Sequence, residues 1–257
     1  MLGATLAPVR VIARLDVKGP NVVKGVQFEG LRIVGTPEDL SRRYYRDGVD
    51  EIVFIDIVAS LYQRNNLLAV VENTARDVFI PITVGGGIRT PEDIAAALRM
   101  GADKVAINTA AVARPRFIAE AAEIFGSQCI VLSIEAKRRS DGTWEAYTDN
   151  GRERSHRDAF DWAAEAESLG AGEVLATSID QDGTRKGFDI ELFKCLRARI
   201  RIPLVAAGGA GKADDVAEVV SRADVDGVCC GSLFHFGECS VPELKRSLGR
   251  AGVNVRQ

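Results

Sequence analysis

The chain is poor in the residues that build metal centres and disulfide frameworks: of 257 residues, two are histidine and five are cysteine. None of Cys129, Cys195, Cys229, Cys230 and Cys239 falls in a CxxC pair, and neither histidine has a second nitrogen or thiolate at ligand spacing. A zinc site and a disulfide scaffold are therefore not expected, and no metal or cofactor is. Cys129 and the Cys229-Cys230 pair lie in apolar runs and read as small buried thiols. A basic surplus is missing too: 33 Lys and Arg against 36 Asp and Glu leave a formal net charge of -3. That argues against a nucleic-acid face and confines any anion site to a local cluster. No apolar run approaches the ~18 residues of a spanning helix, and the first residues lack a charged segment leading into an apolar one. The expectation is a cytoplasmic protein that meets neither membrane nor nucleic acid.

What the chain does have is alternation. Eight apolar runs rich in Val and Ile, at 9–15, 51–57, 80–84, 104–107, 129–134, 173–178, 204–207 and 227–230, are near-continuous, as parallel strands covered on both faces require. Helical patterns lie between them, at 36–47, 67–76, 90–100, 114–125, 156–169, 189–200 and 213–221. Two open on Thr-Pro-Glu-Asp, at Thr36 and Thr90, which supplies a capping oxygen, a proline at the first helical position and carboxylates in the positive first turn. Repeated βα units predict one α/β domain over 1–257, a single-domain (β/α)8 TIM barrel.

An internal repeat supports this. The segment from Gly48 aligns with that from Gly170 (170 − 48 = 122), and Ile80-Pro-Ile-Thr-Val-Gly-Gly-Gly-Ile88 aligns with Ile202-Pro-Leu-Val-Ala-Ala-Gly-Gly-Ala210 (202 − 80 = 122). A period of that length is half a ~250-residue barrel, so a pseudo-twofold half-barrel repeat is expected, with halves of about 1–125 and 126–257. The repeat pairs Leu15-Asp-Val-Lys18 with Ile134-Glu-Ala-Lys137, placing Asp16 and Glu135 at the ends of the first and fifth strands, across the mouth from each other. Val84-Gly-Gly-Gly-Ile88 and Ala207-Gly-Gly-Ala-Gly211 each join a strand to a helix, a geometry that suits phosphate. Asn108-Thr109 after the fourth strand, Asp182-Gly183-Thr184 after the sixth and Gly231-Ser232 after the eighth are placed to complete these sites. Two phosphate sites with two acids between them imply a small substrate phosphorylated at both ends.

Together with Val22-Val-Lys-Gly25, Asp56-Ile57, Gly101-Ala-Asp-Lys104 and Phe234-His235, these motifs resemble the cyclase subunit of imidazole glycerol phosphate synthase, from about Val9 onward. The resemblance implies a barrel that takes ammonia from a separate glutaminase subunit and adds it to a bis-phosphorylated aminoimidazole carboxamide ribonucleotide bearing a ribulosyl arm. The products would be imidazole glycerol phosphate and the carboxamide ribonucleotide, in histidine biosynthesis. It implies Asp16 and Glu135 as general acid and base, and Lys24 on a mobile loop over the substrate. Substrate contacts are implied from Asp56, Gly87, Asn108 and Thr109 at one end and from Thr177, Asp182, Gly183, Gly209, Gly231 and Ser232 at the other. Arg10, Glu51, Lys104 and Glu173, each at a strand start, match the ring through which ammonia enters, and the glutaminase is expected against that N-terminal face beside Asp103 and Lys104.

Four positions depart from the family pattern. Glu135 stands where Asp is usual, Gly19-Pro20-Asn21 replaces an Asp-Gly-Arg type of loop, Ala207 replaces Ser, and Arg14 fills a place usually small or apolar. Two alternatives follow: a paralogue delivering ammonia to another acceptor, as in amidino-sugar formation, or a scaffold conducting ammonia without chemistry of its own. The nearly complete bisphosphate cradle favours the cyclase. Elsewhere, His235 among aromatics reads as packing, His156 as a surface helix start, Trp162 as shell packing, and Lys137-Arg138-Arg139 as the base of a solvated hairpin leading into a strand at 144–148.

Overall fold

The computed structural model describes residues 7–59 and 67–256. In chain order the strands are β1 (Arg10–Lys18), β2 (Asn21–Val26), β3 (Glu29–Gly35), β4 (Glu51–Asp56), β5 (Ile82–Gly85), β6 (Lys104–Ile107), β7 (Ile130–Arg138), β8 (Trp144–Thr148), β9 (Glu153–Asp158), β10 (Glu173–Ser178), β11 (Leu204–Ala207) and β12 (Gly227–Cys230). Eight of them, β1, β4, β5, β6, β7, β10, β11 and β12, pair in parallel in that order, and β12 returns to β1 to close a barrel. These are the eight runs expected from the sequence.

Side-chain alternation along each barrel strand divides the inside from the helix layer. Val11, Ala13, Leu15 and Val17 of β1 join the large outer core with Phe54, Ile134 and Trp162, whereas Ile12 meets Val53, Val131, Leu175, Val205 and Cys229 in a smaller inner cluster. The inward residues form layers from bottom to top: a charged ring, an apolar band, then the polar mouth. The outer helices include Pro37–Arg46 and Pro91–Arg99, which start as the Thr-Pro pattern requires, with the Thr36 and Thr90 hydroxyls accepting from the backbone N–H groups of Asp39 and Asp93.

The two halves share details finer than the strand count. Gly86 and Gly208 have φ of +88° and +92°, and a Cβ on either would strike a backbone carbonyl, that of Asp56 at 2.3 Å or of Ser178 at 2.7 Å. Those carbonyls are themselves repeat partners (178 − 56 = 122). Asn108 and Gly231 also match, at φ/ψ of −123°/−87° and −114°/−74°.

The sequence reading does not include the last helix, Val241–Arg250, and two further differences lie at the mouth. Residues 18–35 form an antiparallel hairpin, β2–β3, rather than a loop, turning tightly through Gly19 and Pro20 to pair Lys18 with Asn21. The helix expected from 156 starts at Ala159, capped by the Asp158 carboxylate, because residues 153–158 pair with β8 as β9. His156 is accordingly a surface strand residue and not a helix start. Each half-barrel thus carries a hairpin after its first strand. Among the described residues no helix is long and apolar enough to cross a membrane.

Candidate active site at the barrel mouth

Asp16 ends the inward row Arg10, Ile12, Arg14, Asp16 on β1. Its carboxylate accepts from Arg14 Nε at 2.8 Å and lies 3.4 Å from Lys24 Nζ. The Arg14 side chain, only 4% exposed, crosses the barrel and donates from Nη1 to Thr177 Oγ1 on β10 at 2.8 Å. Lys24, on β2, closes the cluster by pairing with Asp182 at 2.7 Å. Burial works against the Asp16 charge, but Arg14 and Lys24 outweigh it and hold the carboxyl below its ordinary range. The same balance, with Asp182 and Asp16 outweighing burial, holds Lys24 above its ordinary value. Lys24 therefore sits in a strand, ion-paired and buried, where the resemblance implied a mobile loop.

Glu135 sits in a different electrostatic setting. Burial is the largest influence on it and, unopposed by a direct ion pair, lifts its carboxyl to about 7. Its Oε2 accepts from the Gly151 backbone N–H at 2.7 Å and from Asn108 Nδ2 at 3.1 Å. The two acids thus occupy matching places in the repeat but are pushed in opposite directions, the usual arrangement of an acid and base pair.

The two glycine loops expected to hold phosphate also differ in the space around them. The first, with Asp56, Gly87, Asn108 and Thr109, opens into a cavity of about 400 Å³ that Glu135 also lines. Burial raises the Asp56 carboxyl, whose Oδ1 accepts from the Val58 N–H at 3.0 Å. The second, with Asp182, Gly183, Gly209, Gly231 and Ser232, has room for about 10 Å³, because Lys24 and Arg14 fill it. The hairpin is tied down there: Gln27 N–H donates to the Asp182 carbonyl at 2.7 Å and Gln27 Nε2 to that of Asp180 at 2.9 Å. Ser232 Oγ is buried beneath it without a partner.

His235 packs as expected, and it also positions β1. Burial pushes its imidazole down to about 4, so it is neutral at physiological pH. Nε2 lies 3.0 Å from the Arg14 carbonyl, which can only accept, so Nε2 carries the proton and Nδ1 accepts from the Tyr44 hydroxyl at 2.7 Å. Trp162 is buried in the outer core, and the guanidinium of Arg138, in the β7–β8 hairpin, lies 5.0 Å from the centre of the buried Trp144 ring. Burial pushes the Cys229 thiol up to about 12, which leaves it an inert neighbour of Arg14.

At the opposite end, Arg10, Glu51, Lys104 and Glu173 form a closed ring of alternating charge. Arg10 meets Glu51 at 2.8 Å and Glu173 at 2.7 Å, and Lys104 meets them at 2.8 Å and 3.0 Å. Burial disfavours the Glu51 charge, but Arg10 and Lys104 prevail and keep it below the ordinary range. Sequence reasoning missed the turn over Glu135, where Asp149, Asn150 and Gly151 adopt φ of +52°, +57° and +74°. The Asp-Asn-Gly run was the available signal, since all three tolerate that region.

Comparison with known proteins agrees with this geometry. A family described as "Histidine biosynthesis protein" matches residues 10–240. The imidazole glycerol phosphate synthase subunit HisF of Legionella pneumophila is 58% identical over 210 residues, 82% of this chain and 99% of that protein. The subunits of the same name from Streptococcus sanguinis and Streptococcus gordonii are 47% and 46% identical over 247 residues, 96% of this chain and 98% of each relative. With the barrel, the matched cradles and the paired acids, this coverage shows that the chain belongs to the histidine biosynthesis protein family, with the HisF subunits of imidazole glycerol phosphate synthase among its relatives.

Proposed function

We propose that the chain is the cyclase subunit of imidazole glycerol phosphate synthase. It condenses ammonia with the ribulosyl carboxamide ribonucleotide, releases water, and divides the substrate into imidazole glycerol phosphate and the carboxamide ribonucleotide. The observation that carries this is the pair Asp16 and Glu135, held at opposite protonation tendencies between two glycine loops that share one backbone turn. Asp16, kept ionised, serves as the base that takes a proton from the incoming nitrogen, and Glu135, able to hold a proton near neutrality, returns one to the departing oxygen or nitrogen. Gly87 and Thr109 hold one phosphate and Gly183, Gly209, Gly231 and Ser232 the other, Lys24 exchanges its pairing with Asp182 for the substrate, and Thr177 steadies Arg14. Arg10, Glu51, Lys104 and Glu173 admit ammonia from a glutaminase docked on their face, since a neutral molecule passes a charged ring that retains cations.

The test is turnover of the ribulosyl substrate by the purified chain with an ammonium salt at high pH. No turnover, together with no calorimetric binding of that substrate, overturns the reading. A second reading, ammonia delivery to another acceptor such as a sugar, is favoured by the Arg14–Asp16 ion pair, which engages the acid the cyclase reaction needs. Its signature is activation of a glutaminase partner with no consumption of the ribulosyl substrate.

A further inference from the structure

Buried polar atoms without partners are uncommon, and each calls for an explanation. At the mouth they cluster. Asn150 is 9% exposed and neither its Oδ1 nor its Nδ2 has a hydrogen-bond partner, and Asn108 Oδ1 is likewise buried and unpaired. Both asparagines line the open cavity beside Glu135. They are brought together by one carboxylate oxygen, since Asn108 Nδ2 and the N–H of Gly151, which follows Asn150, both donate to Glu135 Oε2.

The position of Asn150 is built, not incidental. The turn is fastened on its other side by Asp149 N–H donating to Thr109 Oγ1 at 3.2 Å. The left-handed backbone at Asn150, φ +57°, is tolerated by Asn, and the residue is part of the cavity wall. The unmet demand is therefore two acceptors, Asn108 Oδ1 and Asn150 Oδ1, and one donor group, Asn150 Nδ2. A primary carboxamide supplies the complement, an NH₂ with two hydrogens and a carbonyl oxygen. A carboxylate supplies no hydrogen, and an unsubstituted ring carbon supplies nothing.

We infer that Asn150, with Asn108, is the specificity-determining residue that recognises a carboxamide on the substrate half held in the open cavity. This rests on the proposed function for the identity of the ribonucleotide. It also fixes the direction of binding, placing the carboxamide-bearing half at the first cradle and the ribulosyl arm toward Arg14 and Lys24.

The test is calorimetric binding of three monophosphates, aminoimidazole carboxamide ribonucleotide, its 4-carboxylate counterpart and the ribonucleotide lacking the substituent, to the full chain. Asn150→Gly and Asn150→Asp are the variants, since both residues accept the left-handed backbone. Expected is a preference of the unaltered chain for the carboxamide of about 10-fold or more, as a site with buried polar groups rejects a ligand that leaves them unpaired. Both variants should reduce that preference to less than about threefold while binding of the unsubstituted ribonucleotide stays within about twofold, a change in ratio that a purely structural role would not produce. Preference retained in both variants, or absent from the unaltered chain, overturns the inference and leaves the cyclase reading standing. If the unaltered chain binds none of the three and turns over no ribulosyl substrate, both fall.

Discussion

At the scale of single residues, the consequence of Glu135 being buried without a direct ion pair is a pH dependence of stability. Its folded-state carboxyl, near 7, lies above the ordinary 4.5, so between those values the folded chain binds a proton that the unfolded chain releases. That contribution is complete below pH 4.5 and is lost as pH rises through about 7. Glu135→Gln keeps the neutral amide and has no proton to lose. It should match the parent at pH 4.5 and exceed it at pH 8.5 by up to about 3 kcal/mol, measured by denaturant unfolding. Equal differences at both pH values would show that Glu135 is solvated and titrates normally. Asp16→Asn should behave in the opposite sense. Arg14 then has Thr177 but no carboxylate, and a buried cation losing its partner costs about 3–5 kcal/mol. Turnover should also vanish. A stability loss under about 1 kcal/mol would mean that Arg14 finds water or another anion.

The elements that decide access are the two hairpins, and here the legibility of the sequence divides. The eight barrel strands, β1, β4, β5, β6, β7, β10, β11 and β12, were readable as apolar runs, and the cradles as glycine clusters recurring at one offset, because both signals are local. The β2–β3 hairpin was not readable, since its turn bends at Gln27 and Phe28, φ +50° and +64°, residues that give no turn signal. Strand β9 was hidden because Glu-Arg-Ser-His-Arg-Asp has no apolar alternation. Its pairing is supported instead by Arg154 and the His156 N–H meeting the buried Glu145 of β8. Arg14 was visible as an oddity, but its reach to Thr177, 163 residues away, depends on barrel closure. Closure of the first hairpin suggests its own test. At Gly183 the φ is +72° and a Cβ would lie 2.2 Å from the Gly25 carbonyl, so Gly183→Ala cannot keep both the turn and the hairpin in place. The variant should keep its barrel, judged by a far-ultraviolet spectrum, while the hairpin becomes cleavable at Lys24 by trypsin at least about 10-fold faster. Unchanged cleavage would mean that the turn, not the hairpin, yields.

For the whole molecule, the charged ring and the acidic mouth lie at opposite ends of one lumen, separated by an apolar band. If the ring is the proposed entry for ammonia, removing one member should affect passage before it affects chemistry. Lys104→Met leaves Glu51 with Arg10 alone. Turnover with external ammonium should remain within about twofold of the parent, while turnover driven by glutamine through the proposed partner falls by about 10-fold or more. Equal losses in both assays would place Lys104 in folding rather than in ammonia entry.

The matched cradles have a further consequence. A ligand with a phosphate at each end could enter this mouth either way round, and glycine loops of the same shape would barely distinguish the two poses. Each tenfold preference for the productive pose requires about 1.4 kcal/mol, and that difference must come from positions where the halves are not copies. Arg14 is one such position: its repeat partner is Ser133 (133 − 14 = 119), a short hydroxyl opposite a long cation. A barrel assembled from two identical halves would keep both cradles and bind its substrate backwards half the time.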